Sequence, residues 1–411
     1  MNKIIIPEID LKEYDYDLPK EFIALYPLPE RDGSKLLFTD IKNNKIEHYR
    51  FRDLAKIMPD KSLLILNETK VIQARMMFKK PTGGAVELLL VEPVSPSTVP
   101  AIALEAKKNC VWECIIGGKR VREGMRLSSD LLKDGLTAKV IERMQNSGII
   151  EFTWEGEKTF SEIIREAGAV PLPPYIARRS ENIDKERYQT VFATQDGSIA
   201  APTAGLHFSD NVFNDLKSAN VDIEKIVLHV GPGTFVPVSD DNISKHEMHY
   251  ERIEITKNTI EKLIAALDGN RDIIAVGTTC CRTLETLYWH GLKLMNNKDY
   301  SANIDVEQWE PYQEIQDVNP TDALTAILDF MDKNKMTKLS GRTQLFIVPG
   351  YDFKIINGLI TNFHLPKSTL ILLVAAFTGK NLWKNMYETA KKNNYRFLSY
   401  GDSTFLLKSK A

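Results

Sequence analysis

The chain has 411 residues, 43% hydrophobic and 26% charged, with a formal net charge of -2. That length supports two domains with ample chain for a large core, and the composition is that of an ordinary globular protein. The near-zero charge excludes a global basic field for nucleic acid, while leaving room for local basic patches. The four cysteines, Cys110, Cys114, Cys280 and Cys281, form no Cys-x-x-Cys pair, so a zinc ribbon or redox motif is unsupported. Their usage suggests a reducing compartment. The apolar stretch after Lys3 is too short for a signal peptide, and the longest apolar run, Leu370 to Phe377, is too short to span a bilayer. These features predict a cytoplasmic protein without membrane contact.

Residues 71–155 read as short strands separated by turns. Val86 to Val91 is apolar except at Glu87 and follows Thr82-Gly83-Gly84, and Trp112 to Ile116 ends at Gly117-Gly118. Leu136 to Ile141 follows Asp134-Gly135, and Ile150, Phe152 and Trp154 alternate with Glu151 and Thr153. Period-two segments between turn signals predict a small all-β barrel or sandwich. Cys110 and Cys114 fall on one face of such a strand, where packing is the expected role.

Beyond residue 155 the pattern turns α/β. Ser209 is placed to cap a helix carrying Val212, Phe213 and Leu216, and Thr256 to cap one carrying Ile260, Leu263 and Leu267, stopped by Gly269. Strands are predicted around Ile226 to Val230, Asp272 to Gly277, Leu345 to Val348 and Leu359 to Asn362. Pro366 sits where the first turn of a helix is expected, and Gly379 ends that helix. Between Asp299 and Asp332 there are nine acidic residues and no Lys or Arg. A solvated face is the plainest account of that run.

Candidate chemistry gathers near predicted strand ends, where loops carry function. His207, His229, His246 and His249 fall within one short window, and His364 lies in Thr-Asn-Phe-His-Leu-Pro. His246-Glu247-Met248-His249 with Glu251 lacks the helical His-Glu-x-x-His zinc signature, and a metal there needs a further ligand brought by folding. In His229-Val-Gly-Pro-Gly, Gly231 and Gly233 let the backbone approach a ligand or simply make a tight turn. Gly277-Thr278-Thr279-Cys280-Cys281-Arg282 reads as a strand running into a helix start. Free N–H groups, two hydroxyls and the Arg282 fork there suit polar or anionic atoms; a capped helix with a structural ion pair is the alternative.

Together these stretches resemble one family, the S-adenosylmethionine:tRNA ribosyltransferase-isomerases of queuosine biosynthesis. The resemblance runs from Tyr14-Asp-Tyr-Asp and Leu66-Asn-Glu-Thr-Lys through Val170-Pro-Leu-Pro-Pro-Tyr-Ile and Ala201-Pro-Thr-Ala-Gly-Leu-His-Phe. It continues through Leu228-His-Val-Gly-Pro-Gly-Thr-Phe, Gly277-Thr-Thr, Pro349-Gly-Tyr, Thr361-Asn-Phe-His and Ser399-Tyr-Gly-Asp. It implies an α/β fold: a larger mixed α/β domain (residues 1–70 plus 156–411) with a small inserted all-β barrel (71–155). It implies transfer and isomerisation of the ribosyl group of S-adenosylmethionine onto 7-aminomethyl-7-deazaguanine at the tRNA wobble position. The products are epoxyqueuosine tRNA, adenine and methionine.

Under that resemblance His207, His229, His249 and His364 are the candidates for proton transfer, a task matched to histidine. Thr203, Gly231, Gly233, Thr278, Thr279, Arg282 and Asn362 are expected to bind substrate, with Arg282 on the methionine carboxylate. Arg75, Arg178 and Arg179 are expected to meet tRNA phosphates. No metal and no cofactor beyond the substrate S-adenosylmethionine is expected, and a monomer is predicted. The chain departs from the family pattern at Lys35, Glu68, Lys70, Gln73, Cys280-Cys281 and Ser403-Thr404-Phe405, and its segment from Glu285 to Gly341 is longer. Those departures keep two alternatives open: a retuned or non-catalytic relative binding RNA or an S-adenosylmethionine-like nucleoside, and a metal hydrolase or dioxygenase built on the histidine cluster.

Overall fold

In a computed structural model the described residues are 6–132, 135–231, 233, 243–296, 303–313 and 318–408. Ten strands form one mixed sheet. Their order is Ile304–Val306, Lys338–Thr343, Glu251–Thr256, Asp222–His229, Leu63–Asn67, Ile273–Val276, Gly358–Asn362, Ser403–Leu407, Lys35–Asp40 and Lys45–Arg50. The four strands from Asp222–His229 to Gly358–Asn362 run parallel. Leu63–Asn67, Ile273–Val276 and Gly358–Asn362 are buried at every residue. That is why they read as continuous apolar runs: a central parallel strand is covered on both faces. Leu63 and Ile65 pack with Leu284 and Leu287 of the helix Thr278–Asn296. Leu64 and Leu66 point the other way, onto Phe208, Val212 and Leu216.

The predicted barrel is present. Arg75–Lys79, Ala85–Ser95, Asn109–Gly117, Ser147–Thr153, Thr137–Arg143 and Arg126–Ser128 follow one another, and Lys79 pairs with Ser128 to close the ring. Cys110, Trp112, Cys114 and Ile116 alternate into its core. All four cysteines are free and buried, and burial pushes their thiols up. The barrel's apolar cluster runs past residue 155. It takes in Phe160, Ile163 and Ile164 of the helix Phe160–Ala167, and Gly168–Ala169 pairs with the strand Arg75–Lys79. Deleting the Phe160 ring from that cluster costs roughly 3–5 kcal/mol.

Helix starts follow the capping signals. Ser209 accepts from Val212 N–H to start Asp210–Ser218, and Thr256 accepts from Thr259 N–H to start Lys257–Asp268. Two predictions are corrected. Leu345 to Val348 forms no strand: Leu345 N–H donates to the Thr343 hydroxyl, Phe346 N–H to Gln308 O, and Val348 N–H to the Tyr312 hydroxyl. Its backbone is satisfied by side chains and a loop, so no ladder is needed. Pro366 lies ahead of its helix, which starts at Thr369 with Ser368 accepting from Ile371 N–H and ends at Gly379 as expected. Parts of the acidic run, 297–302 and 314–317, lie outside the described residues. Within the described part, Glu310 pairs with Lys293 and Asp305 with Arg342. Among the described residues no helix is long and apolar enough to cross a membrane.

Candidate active site

The carboxyl ends of the central parallel strands converge on a cleft, the position at which α/β sheets take small ligands. Val230, Gly277 and Asn362 mark those strand ends, Ala201 to Ala204 form a facing wall, and Tyr175, His364 and Ser399 close it. Among the described residues no Asp, Glu, Lys or Arg lines it. Gly277 has φ +89, a conformation that favours glycine, and its N–H donates to Ile360 O at 2.7 Å. That turn drops the chain straight into the helix Thr278–Asn296, so the hydroxyls of Thr278 and Thr279 and the positive helix end meet the cleft. Behind them Asn67 locks the strand ends together. Its Nδ2 donates to Leu228 O at 2.9 Å, and its Oδ1 accepts from Leu228 N–H at 3.1 Å and Thr69 N–H at 3.2 Å.

The loop of small residues ahead of Phe208 is held by Ile199 and Ala200, whose N–H groups both donate to Val230 O. Thr203 lines the cleft, but His207 lies behind it. The His207 ring packs on Phe51, its Nδ1 meets Ser34 Oγ at 2.9 Å, and its Nε2 meets Asn362 Nδ2 at 3.2 Å. Burial, then Arg396 and Arg31, lower its pKa to about 3, so it is neutral near pH 7. Asn362 Nδ2 also donates to Leu398 O at 3.1 Å. A carbonyl can only accept, which fixes the amide. His207 Nε2 is therefore the acceptor and Nδ1–H donates to Ser34. Asn362 Oδ1 is left buried without a partner on a residue that lines the cleft.

His364 is the histidine on the cleft itself. Its Nε2 meets Thr361 Oγ1 at 3.0 Å, and burial lowers its pKa to about 3. Among the described residues its Nδ1 has no hydrogen-bond partner. Tyr175 and Ser399, missed by the sequence reading, meet at 2.6 Å between Oη and Oγ on the same wall. Both sit inside the quoted motifs, which was the available signal.

A second cleft, of about 480 Å³, adjoins the first at Leu370. It holds Arg282, Glu251, His246, His249 and Gly233. Arg282 Nη1 donates to Glu251 Oε2 at 2.5 Å and Nε to Leu345 O at 3.1 Å, while Nη2 is buried without a partner. A Cβ on Gly233 would meet the His249 ring at 2.0 Å, so only glycine lets that ring lie there. Among the described residues no three His, Cys, Asp or Glu side chains are grouped to hold a metal ion.

The structure therefore sorts the predicted residues. Thr203, Thr278, Thr279, Asn362 and His364 share the larger cleft, and Gly233, His249 and Arg282 share the smaller. His229 lines neither: its Nδ1 meets Thr69 Oγ1 at 2.8 Å, and burial lowers its pKa to about 4. Gly231 also lines neither. Arg75 pairs with Glu87 at 2.7 Å. Arg178 is consumed by the buried Asp184, by Leu25 O and by the face of Tyr26, which leaves its fork closed to a phosphate; Arg179 beside it is exposed. Other quoted motifs hold the fold. Tyr351 donates to buried Glu285, Tyr400 donates to Asp184, and Asp402 accepts from the N–H groups of Lys35 and Arg396.

The profile of a family described as queuosine biosynthesis protein matches residues 11–406. The S-adenosylmethionine:tRNA ribosyltransferase-isomerase of Halothermothrix orenii is 37% identical over 97% of this chain and 99% of its own. The protein of the same name from Carboxydothermus hydrogenoformans is 38% identical over 97% and 99%. Among solved structures, an S-adenosylmethionine tRNA ribosyltransferase from Thermotoga maritima is 29% identical, with a TM-score of 0.46, over 96% of this chain and 100% of its own. The chain belongs to the queuosine biosynthesis protein family.

Proposed function

We infer that this chain transfers the ribosyl group of S-adenosylmethionine to 7-aminomethyl-7-deazaguanine in the tRNA wobble position and isomerises it, releasing adenine and methionine. Beyond family membership, one observation carries the reading: a cleft with no charged side chain among the described residues that line it opens beside a charged one, and the pair matches the two ends of S-adenosylmethionine. The neutral nucleoside suits the cleft of Thr203, Thr278, Thr279 and Asn362. The amino-acid end suits Arg282, whose unpartnered Nη2 is a ready donor to a carboxylate. Thr279 and Arg282 are three residues apart on one helix, so they share a face and fix the spacing between the two ends.

In this reading Asn362 Oδ1 accepts from the adenine amino group. The sulfonium acidifies the ribosyl 5′-carbon, and His364, neutral at working pH, takes that proton through Nδ1 and then delivers it to a ring nitrogen of the departing adenine. The sulfonium is already an activated leaving group, so the reading asks for no metal and no separate cofactor. His207 holds Asn362 in place. We take the active unit to be a single chain and its workplace to be the cytoplasm.

The test incubates the full chain with S-adenosylmethionine and an anticodon hairpin carrying the modified base. Adenine release and an equimolar amount of RNA heavier by the ribosyl-derived group are expected. Protein that binds both ligands and releases no adenine would remove the catalytic reading.

A further inference from the structure

A third cleft, of about 280 Å³, backs onto the wall of the nucleoside cleft. Ser399 lines both, and His207, bonded to Asn362 on one side, lines the third. Arg31, Arg187 and Arg396 also line it, brought from three distant segments. Arg31 donates to Leu206 O and Glu186 O, Arg187 to Pro29 O and Leu28 O, and Arg396 to Tyr26 O. All these acceptors are neutral backbone carbonyls, and a guanidinium carries five donors. Arg187 Nε is buried without a partner.

The positive charge is poorly balanced. Among the described residues no carboxylate pairs with Arg31 or Arg187. Asp402, nearest to Arg396, is 3.9 Å away and already accepts two backbone N–H groups. Glu30, the one acid on the cleft, pairs with Arg52 at 2.5 Å. The field reaches the ring next door: after burial, Arg396 and Arg31 are what hold His207 down. Like charges gathered at a half-buried site repel unless an anion joins them.

We propose that this cleft binds a backbone phosphodiester of the RNA substrate, near the nucleotide whose base meets S-adenosylmethionine at the mouth of the nucleoside cleft. The proposal rests on the functional reading above. It differs from the expectation for Arg75 and Arg178, whose forks are paired with carboxylates of this chain. A phosphate here sits on the far side of the His207–Asn362 wall, so it orients the RNA without touching S-adenosylmethionine.

The test measures binding of the anticodon hairpin to the full chain by fluorescence anisotropy across about 50–200 mM salt. Arg31→Gln and Arg187→Gln should each lower the slope of log affinity against log salt by about 0.7–0.9, the signature of one lost phosphate contact. S-adenosylmethionine affinity should stay within about twofold, on the order of 0.4 kcal/mol. Arg31→Lys keeps the charge, so it should keep the slope, and it serves if the Gln variant unfolds. A weaker affinity with unchanged slope in both Gln variants would show arginines that only staple backbone, and would overturn the site alone. A wild-type chain that binds no hairpin would overturn the functional reading and this site together. Inorganic phosphate that raises the melting temperature of the wild type while the hairpin slopes stay unaltered would assign the cleft to free phosphate and overturn the proposal.

Discussion

Among the described residues the larger cleft is lined by no Asp, Glu, Lys or Arg, whereas the smaller one beside it holds a buried Arg282–Glu251 pair and two histidines. One helix supplies both, Thr278 and Thr279 to the first and Arg282 to the second. The contrast teaches how a single site can accept a molecule with a neutral flat end and a zwitterionic end. Buried charge is tolerated only where it is paired and hydrogen-bonded. The pair is therefore confined to one compartment, and the proposed reading leaves the reacting carbon in the other, beside the neutral imidazole of His364.

The largest expected break comes from His364→Ala. Adenine release should fall about 10²–10⁴-fold, the usual worth of a general acid or base, while S-adenosylmethionine binding by calorimetry barely changes. His207→Ala should behave differently. It removes the acceptor for Asn362 Nδ2 and should raise KM and lower stability by about 1–3 kcal/mol. If His207→Ala binds normally and loses only turnover, the roles given to the two histidines are reversed.

Next in size is Arg282→Met. Affinity for S-adenosylmethionine should fall about 100-fold, on the order of 3 kcal/mol, whereas methylthioadenosine, which lacks the amino-acid end, should bind as before. Stability should also drop by about 3–5 kcal/mol, because the buried Glu251 loses its Arg282 partner. Adding Glu251→Gln should restore the melting temperature and leave the affinity lost. Equal losses for both ligands would dissolve the division between the compartments.

A smaller effect is expected at Asn362. An analogue of S-adenosylmethionine without the adenine amino group should be used about tenfold less well by the wild type, and Asn362→Ala should erase that preference. Retained discrimination in the variant would place the amino group elsewhere.

The mildest test is pH. His207 and His364 both titrate near 3 when folded because burial disfavours their charged forms, against about 6.5 when unfolded. Between those values the unfolded chain binds more protons, so stability falls as pH drops below about 6.5. Each histidine contributes about 1.4 kcal/mol per pH unit in that window. Urea unfolding at pH 7 and pH 5 should show the loss, and His207→Gln should reduce its slope.

Much of the scaffold was legible. Cys110, Trp112, Cys114 and Ile116 alternate, so the barrel strand reads off directly, and Ile273 to Val276 reads as a strand covered on both faces. Ser209 and Thr256 announce their helices. Leu345 to Val348 misled because an apolar run says nothing about where its N–H groups go. The site was legible as a set of motifs, not as a geometry. His207 and His364 look alike in sequence, each among small residues or beside a proline. What separates them is partners 173 and 155 positions away, Ser34 and Asn362, which occupy both nitrogens of one ring. Arg178 was misread for a nearer reason: Asp184, six residues on, claims its fork.

The helix that begins at Thr278 also constrains how this chain can change in length. Each residue added to an α-helix turns everything beyond it by about 100°. One insertion between Thr279 and Arg282 would swing the guanidinium off the cleft, and one before Glu285 would release the three backbone N–H groups of residues 354–356 that its carboxylate holds. Past Asn296 no such phasing applies. Extra chain added there would leave the distance between the two ends of the helix's first turn undisturbed.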